Sequence, residues 1–586
     1  MASRQLVIRG WLKPVAFALA IAAAWTPATV TAQRAERAGA GEARRFYPDD
    51  PLWRDDDQRD IPPVAKLELS QSYDFLENTF GKGARSIGPA LNVNTLGEVP
   101  DSSWFTNRLG VRDMTIDEVL RGPDTGGGPA PGPWEVIGRP GSGITPKFTI
   151  RDTRGAVFII KLDPDAIPEL PSSVELIATK IFHAIGYHVP EDFIAALDPR
   201  QLRVAPGITL KTGGGKRRPL RLEDVQVWLK RQPRRPDGTI RVLASRFVPG
   251  KVVGSFRFTG TRPDDANDIY PHERRRELRG LRVFAAWLNH DDARSLNSLD
   301  AYVEEGGRRY IRHYLQDFGS TLGSGSISAQ QPRAGNEYRV ESDKLVKGLL
   351  SLGLWQRPWM RVDYADLPSL GNIEADVFEP GAWKPEYPHP AFDQMDAADA
   401  FWAARIVSRF TDGMIRSLVE IGRLSDPDAE RHLADVIIRR RDKVVAHWIT
   451  ATNPLDQFEV RQSAHGPVLT FRNAAARAGV AAPDSGYRVQ WSMLNNTTGT
   501  ESVVGDAGAA GEPVIPVLEQ AFGPADAAGD RYAVASIGTL HRDHRHWLQP
   551  VRVTLRLRDD RIDVAGLERP VMRAASETRL PIGAVR

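Results

Sequence analysis

Between Trp134 and Ile185, three short strand patterns run straight into one helical pattern, and no other stretch restricts the fold as much. The strand patterns are WEVIG, PKFTIRD and AVFIIKL, each rich in β-branched or aromatic residues. Thr153-Arg154-Gly155 supplies a turn between the last two. From Ser172 onward, apolar side chains recur at Val174, Ile177, Ala178, Ile181, Phe182 and Ile185, which is one face of a helix. Ser172 predicts its N-cap and Gly186 its end, with Pro190 just beyond. Strands leading into a helix in this way predict an α+β chain.

The rest of the chain divides by composition. Residues 1–32 hold Arg4, Arg9 and Lys13, then the apolar run PVAFALAIAAAW, then small residues up to Ala32. That layout predicts a secretory signal cut after Ala32, and hence an exported, periplasmic or secreted protein. The run is shorter than the ~20 apolar residues of a membrane span, so no anchor is expected to remain after cleavage. Without those three charges, totals of 77 basic and 74 acidic side chains become 74 and 74. A balanced chain lacks the cationic excess of a nucleic-acid binder. There is no Cys, which excludes disulfides, thiolate metal sites and Cys nucleophiles.

Residues 33–121 predict a lead-in region. Its acidic stretch YPDDPLWRDDDQRD lacks the ligand spacing of a calcium hand and predicts a solvated linker, and Thr115 with Glu118 predicts a capping box. The Gly- and Pro-rich residues 122–133 predict a linker. Within 134–455, the basic, loop-rich 205–238 reads as an insertion whose only aromatic is Trp228, too little for base stacking. IRVLASRFV and VVGSFRF predict a strand pair around Pro249-Gly250, and a helix is expected after Pro271. Two long helical patterns fill 395–450. From 456 to 586 the chain alternates apolar and polar residues between turns, which predicts an all-β, sandwich-like C-terminal domain.

The densest chemistry lies at 289–319. His290-x-Asp292 follows the end of the helix after Pro271, and Asn297 comes five residues after Asp292. A strand pair turning at Gly306-Gly307 then leads to Asp317-Phe318-Gly319. Phosphoryl transfer needs a carboxylate to take the hydroxyl proton and hard oxygens to hold magnesium on the phosphates. Asp292 can serve as the first, and Asn297 and Asp317 as the second. Asp291 is an alternative base, although the spacing to Asn297 favours Asp292. Arg294 can neutralise migrating charge, and His290 is expected to orient the loop.

This arrangement resembles the protein-kinase-like superfamily. The His-x-Asp-x-x-x-x-Asn spacing is similar to aminoglycoside and choline phosphotransferases, and Asp-Phe-Gly is similar to protein kinases. GITPKF followed by FIIKLDP is similar to atypical bacterial kinases of the HipA and CotH type. The resemblance implies a bilobal kinase-like fold, with an antiparallel-sheet N-lobe and a helical C-lobe, that binds ATP and Mg2+. It implies that Gly138, Gly141 and Gly143 form the turn over the phosphates, although Pro140 removes one backbone donor there. It also implies that Lys161 contacts the nucleotide and that Glu175 on the following helix holds Lys161. A capping box with Ser172 would account for Glu175 equally well.

The expected activity is therefore an exported ATP- and magnesium-dependent phosphotransferase acting on an unidentified protein, sugar or lipid hydroxyl. The alternative is a kinase-like scaffold of the cell envelope that no longer transfers phosphate. Adhesion to envelope polymers through the β-domain is a third reading. His541, His544 and His546 have spacing that could ligate zinc, but a hairpin loop explains them more simply.

Overall fold

The computed structural model describes residues 45–81, 88–138, 147–211, 217–351, 354–367, 369–505 and 508–569. These described residues form one compact unit of mixed α and β structure. The signal-like residues 1–32, together with Gly141 and Gly143, lie outside the described residues.

The acidic stretch is not a solvated linker over its described part. Phe46 stacks on Tyr532 at 5.5 Å, and the buried Asp57 accepts hydrogen bonds from the Ser103 amide and hydroxyl at 3.0 and 2.6 Å. Each of these partners comes from elsewhere in the chain, which composition cannot reveal. Helix α1 (Gln71–Phe80) was not foreseen, whereas α2 (Ile116–Arg121) starts at the expected Thr115–Glu118 capping box.

Strands β1 (Trp134–Gly138), β2 (Lys147–Arg151), β3 (Val157–Lys161), β4 (Asp192–Leu197), β5 (Leu202–Val204) and β8 (Ile240–Arg246) form one sheet in the order β4-β8-β3-β2-β1-β5. All pairs are antiparallel except β1–β5. The period-two alternation sends Phe148, Ile150, Phe158 and Ile160 into a core shared with Val225 and Leu229 of α4 (Leu222–Leu229), so the 205–238 insertion buries part of itself here. Lys147 and Lys161 belong to the opposite face, on which helix α3 (Leu170–Ile185) supplies Glu175. Between β5 and β8 lie the small pair β6 (Thr209–Lys211) and β7 (Arg217–Pro219).

The expected strand pair around Pro249-Gly250 does not form. β8 pairs with β3 and β4, whereas β9 (Lys251–Gly254) joins a second sheet with β10 (Ser298–Glu305) and β11 (Arg308–Leu315). Gly250, at φ +85°, sits so close to the β10 backbone that a Cβ would meet the Tyr302 carbonyl oxygen at 2.3 Å. The chain therefore crosses between sheets where a hairpin was expected. β10 and β11 do form the hairpin expected at Gly306-Gly307.

Helix α5 (Arg276–Leu288), the helix expected after Pro271, leads to this hairpin, with Leu278, Leu281, Phe284, Ala285 and Leu288 buried along one face. Beyond α6 (Ser342–Leu350) and the single turn α7 (Pro390–Asp393), the first of the two long helical patterns breaks in two. α8 (Ala397–Val407) ends before Thr411, which accepts from the Met414 amide and so caps α9 (Asp412–Glu420), and α10 (Pro427–Ile449) follows. No described helix is long and apolar enough to cross a membrane.

Two antiparallel sheets complete the chain, with the turn α11 (Ala474–Arg477) between the second and third of their strands. One holds β12 (Leu455–Ser463), β13 (Gly466–Asn473) and β17 (Val514–Pro516). The other holds β14 (Gly486–Asn495), β15 (Thr500–Val503), β16 (Gly508–Ala510), β18 (Arg531–Leu540), β19 (Val551–Arg558) and β20 (Arg561–Glu568). Leu469 and Phe471 of the first sheet and Val489, Ala535 and Val553 of the second enter a common core.

Phe105 ties the lead-in to the helices. It is fully buried, its ring lies 5.5 Å from those of Tyr187 and Trp402, and it fills the space that a side chain at Gly186 would need. Phe105→Ala should lower unfolding stability by about 3–5 kcal/mol in chemical denaturation. An unchanged midpoint would show that the lead-in is not part of the cooperative unit.

Candidate functional site

Helix α3 begins at Leu170, two residues before Ser172, with Glu169 as its first cap position at φ +67°. Ser172 therefore lies inside the first turn, where its amide and hydroxyl donate to Asp163 at 2.9 and 2.6 Å. The capping box does not form. Glu175 instead accepts from Lys161 Nζ at 2.5 Å, and Asp317 Oδ1 accepts from the same ammonium at 2.9 Å. Burial works against the Lys161 charge, but Asp317, Glu175 and Asp192 outweigh it and raise its pKa above the ordinary lysine value.

Asp317 holds a left-handed backbone at φ +62°, a conformation that Asp tolerates better than most residues. The Lys161 ammonium lowers its carboxyl to about 2 against the pull of burial. Next to it, Phe318 is buried and stacks on Phe182 of α3 at 4.6 Å, with the His290 ring 5.6 Å away. Helix α3 is thus held to this segment by an ion pair at Glu175 and an aromatic stack at Phe182.

The loop after α5 turns at Asn289, which is left-handed at φ +50°. His290 Nδ1 lies 3.3 Å from the Ser320 carbonyl, and burial pushes its pKa down to about 4, so the ring is neutral and structural. Asp292 forms an ion pair with Arg294 (Nε to Oδ1, 2.8 Å), and its Oδ2 accepts from Asn297 Nδ2 at 2.9 Å. Burial raises Asp292 to about 6, with Arg294 and Asn297 opposing the rise. Asp291 is pushed higher, to about 8, by burial and by the Asp292 and Glu386 charges, and its Oδ1 accepts from Gln330 at 2.7 Å. Of the two adjacent carboxyls, Asp292 is therefore the one ionised at neutral pH.

The two halves of the cluster meet where the Gln316 amide donates to the Asn297 carbonyl at 3.0 Å. The Asp317 charge also acts on Asp292. The structure thus brings together Lys161, Glu175, Asp292, Arg294, Asn297 and Asp317. Gly138 ends β1 at the edge of the described residues. The space enclosed between Lys161, Glu175, Asp317 and Gly319 is about 10 Å3, no more than one water occupies. A nucleotide would have to lie over the open side of this cluster.

The donor set suits a magnesium ion that shares its shell with phosphates and water. Asp317 Oδ2 and the Asn297 side-chain oxygen accept no hydrogen bond among the described residues, because Lys161 takes Asp317 Oδ1 and the Asn297 amide nitrogen faces Asp292. No group of three or more His, Cys, Asp or Glu is arranged to hold a metal among the described residues. Magnesium on a nucleotide requires only one or two protein oxygens.

Sequence reasoning missed several residues here. Lys147 lies directly across from Lys161 in the β2–β3 register, so two ammonium groups leave the same face. Burial, with Lys161 beside it, lowers the Lys147 pKa although Asp317 pulls the other way. The usable signal was its place in GITPKF, opposite Lys161 across the Thr153-Arg154-Gly155 turn. Glu386 bridges Arg294 and Arg339 at 3.2 and 3.0 Å. Asp74 of α1 accepts from Ser295 at 2.9 Å and Tyr387 at 2.6 Å, bracing the Asp292–Asn297 loop. No local pattern marks either acid. The three candidate zinc histidines pack instead: His544 stacks on Trp547 at 4.1 Å, and His541 and His546 contact the Ala482 and Thr450 carbonyls at 3.2 and 2.8 Å.

No family model matches the chain, and no curated protein matches it significantly. Among solved structures it is similar to the crystal structure of a Helicobacter pylori proinflammatory kinase, CtkA. The identity is 13% and the TM-score 0.29, covering 53% of this chain and 95% of that one. A likeness of this size carries no argument about function.

Because Asp317 is held below the usual carboxylate value of about 3.9, its ion pair stabilises the fold above that pH and is lost as pH falls through about 2. Acid unfolding should therefore show a component between about pH 4 and pH 2 that disappears in Asp317→Asn. An identical acid limb in wild type and variant would rule out the Lys161–Asp317 pair.

Proposed function

We propose that the chain is an ATP- and magnesium-dependent phosphotransferase with a kinase-like fold, exported by residues 1–32, that acts on a hydroxyl acceptor. One observation carries this reading: Lys161 is shared between Glu175 and Asp317 beside the Asp292–Asn297 pair. These groups come from four separate segments, and their types are those that phosphoryl transfer requires. Asp317 and Asn297 would hold magnesium, which when bound screens the phosphate charge. Lys161 and Lys147 would bind phosphate oxygens, and Glu175 would keep Lys161 extended towards them. Asp292 would accept the acceptor's hydroxyl proton as its oxygen bonds to the terminal phosphorus and the bond to the ADP oxygen breaks. Asn297 and Arg294 would keep its carboxylate ionised and aimed.

Calorimetry with ATP and magnesium should show binding to the wild type and none to Asp317→Ala. Asp292→Ala should keep the binding while losing transfer, self-transfer included, by about 10²–10⁴-fold. The rate should rise with pH through about 6 as Asp292 ionises. No nucleotide binding at millimolar ATP would end the proposal.

A second reading has its own support. Arg294 and Asn297 together engage both oxygens of Asp292, leaving the carboxylate well satisfied without a substrate. Such a site suits a binding or scaffold protein of the envelope. Nucleotide binding without label transfer to any acceptor would identify that case.

A further inference from the structure

Helix α6 and the residues after it carry an apolar surface with no described cover. Val346, Leu349, Leu350 and Leu354 are 54%, 76%, 78% and 85% exposed. Scattered exposed leucines need no explanation, but four large apolar side chains within nine positions do. The same stretch is basic. Between Ser342 and Arg361 the sequence holds Lys344, Lys347, Arg357 and Arg361 against the single acid Asp343, and of these cations Arg357 is paired with Glu337 at 2.8 Å, which leaves Lys344, Lys347 and Arg361 for the surface. The Lys344 and Lys347 ammonium groups lie 5.5 and 5.9 Å from the centre of the Trp355 ring, which gathers cations, an aromatic ring and leucines in one segment. Leucine, tryptophan and lysine gathered in this way are the side chains with which a segment lies in a membrane surface.

We propose that this surface docks on an anionic lipid bilayer. The excess of cations selects a lipid surface of negative charge over a purely apolar partner. At the length Ser342–Leu350, α6 lies on a membrane and does not span it. Helix α1 reaches the chain just before α6, where its Phe75 ring lies 5.8 Å from the guanidinium of Arg339. Through Glu386, Arg339 connects to Arg294 and so to Asp292. Arg339, three residues before α6, therefore ties the start of the docking segment to the candidate catalytic loop, and an acceptor hydroxyl would reach Asp292 from the lipid side. That last step rests on the proposed phosphotransferase activity, whereas the docking does not.

The test is flotation of the full chain with vesicles of equal parts phosphatidylglycerol and phosphatidylcholine, and with phosphatidylcholine alone. Wild type should float more with the anionic vesicles than with the neutral ones. Leu349→Glu with Leu350→Glu, and separately Lys344→Glu with Lys347→Glu, should each weaken partitioning at least about tenfold. Because the replaced leucines are exposed, thermal melting should be unchanged and confirm folding. The apolar stretch at 14–25 is common to all chains, so the difference between them reads this surface alone. Equal flotation of wild type and either variant, or equal flotation with neutral vesicles, overturns the proposal. So does a wild-type dimer in sedimentation that the leucine variant dissolves without any vesicle binding. Nucleotide calorimetry on the same samples shows separately whether the phosphotransferase reading stands.

Discussion

A single ammonium group organises the centre of this molecule. Lys161 is about nine-tenths buried, and burial alone would drive off its proton. Two carboxylates from distant segments prevent that, one from helix α3 and one from the turn after β11. Removing one partner of a buried ion pair typically costs about 3–5 kcal/mol, because the remaining charge is stranded. The three segments are therefore tied together electrostatically, and Phe318 on Phe182 adds an apolar tie between two of them. Position and charge state at the site follow from the same contacts.

The loop at Asp292 uses a complementary device. Two carboxyls stand side by side, and the protein separates their behaviour by giving them different neighbours. Asp291 faces an uncharged amide, whereas Asp292 faces a guanidinium and an amide nitrogen. Local repulsion then falls on Asp291, which Glu386 also disfavours as an anion. The loop in turn leans on Asp74, a residue of the lead-in, through Ser295 and Tyr387. A segment that composition marks as peripheral thus supports the most chemically loaded turn of the chain.

Much of this was legible without coordinates, and the reason is local. Period-two alternation placed the strands around Lys161, and the glycine pair at 306–307 placed the hairpin. Expectations failed where distant partners outcompete local preference. Ser172 should cap a helix, but Asp163 offers its hydroxyl a better acceptor and the helix starts a half-turn earlier. The strand after Gly250 should fold back on its predecessor, but the free edge of β10 takes it instead. The helical pattern at 397–420 breaks at Thr411, whose hydroxyl serves the next helix as a cap.

The sequence by itself determined the order of three strands and a helix from Trp134 to Ile185, the strand that ends in Lys161 and the spacing of Asp292, Asn297 and Asp317, because these depend on residues adjacent in the chain. Only the tertiary structure decided that Glu175 belongs to a lysine and not to a helix cap, that Asp292 and not Asp291 carries the charge, and that Lys147 stands beside Lys161. Each of those outcomes depends on burial and on charges brought together from remote parts of the chain. The Coulomb energy between two groups follows their distance in space, whatever their separation in sequence.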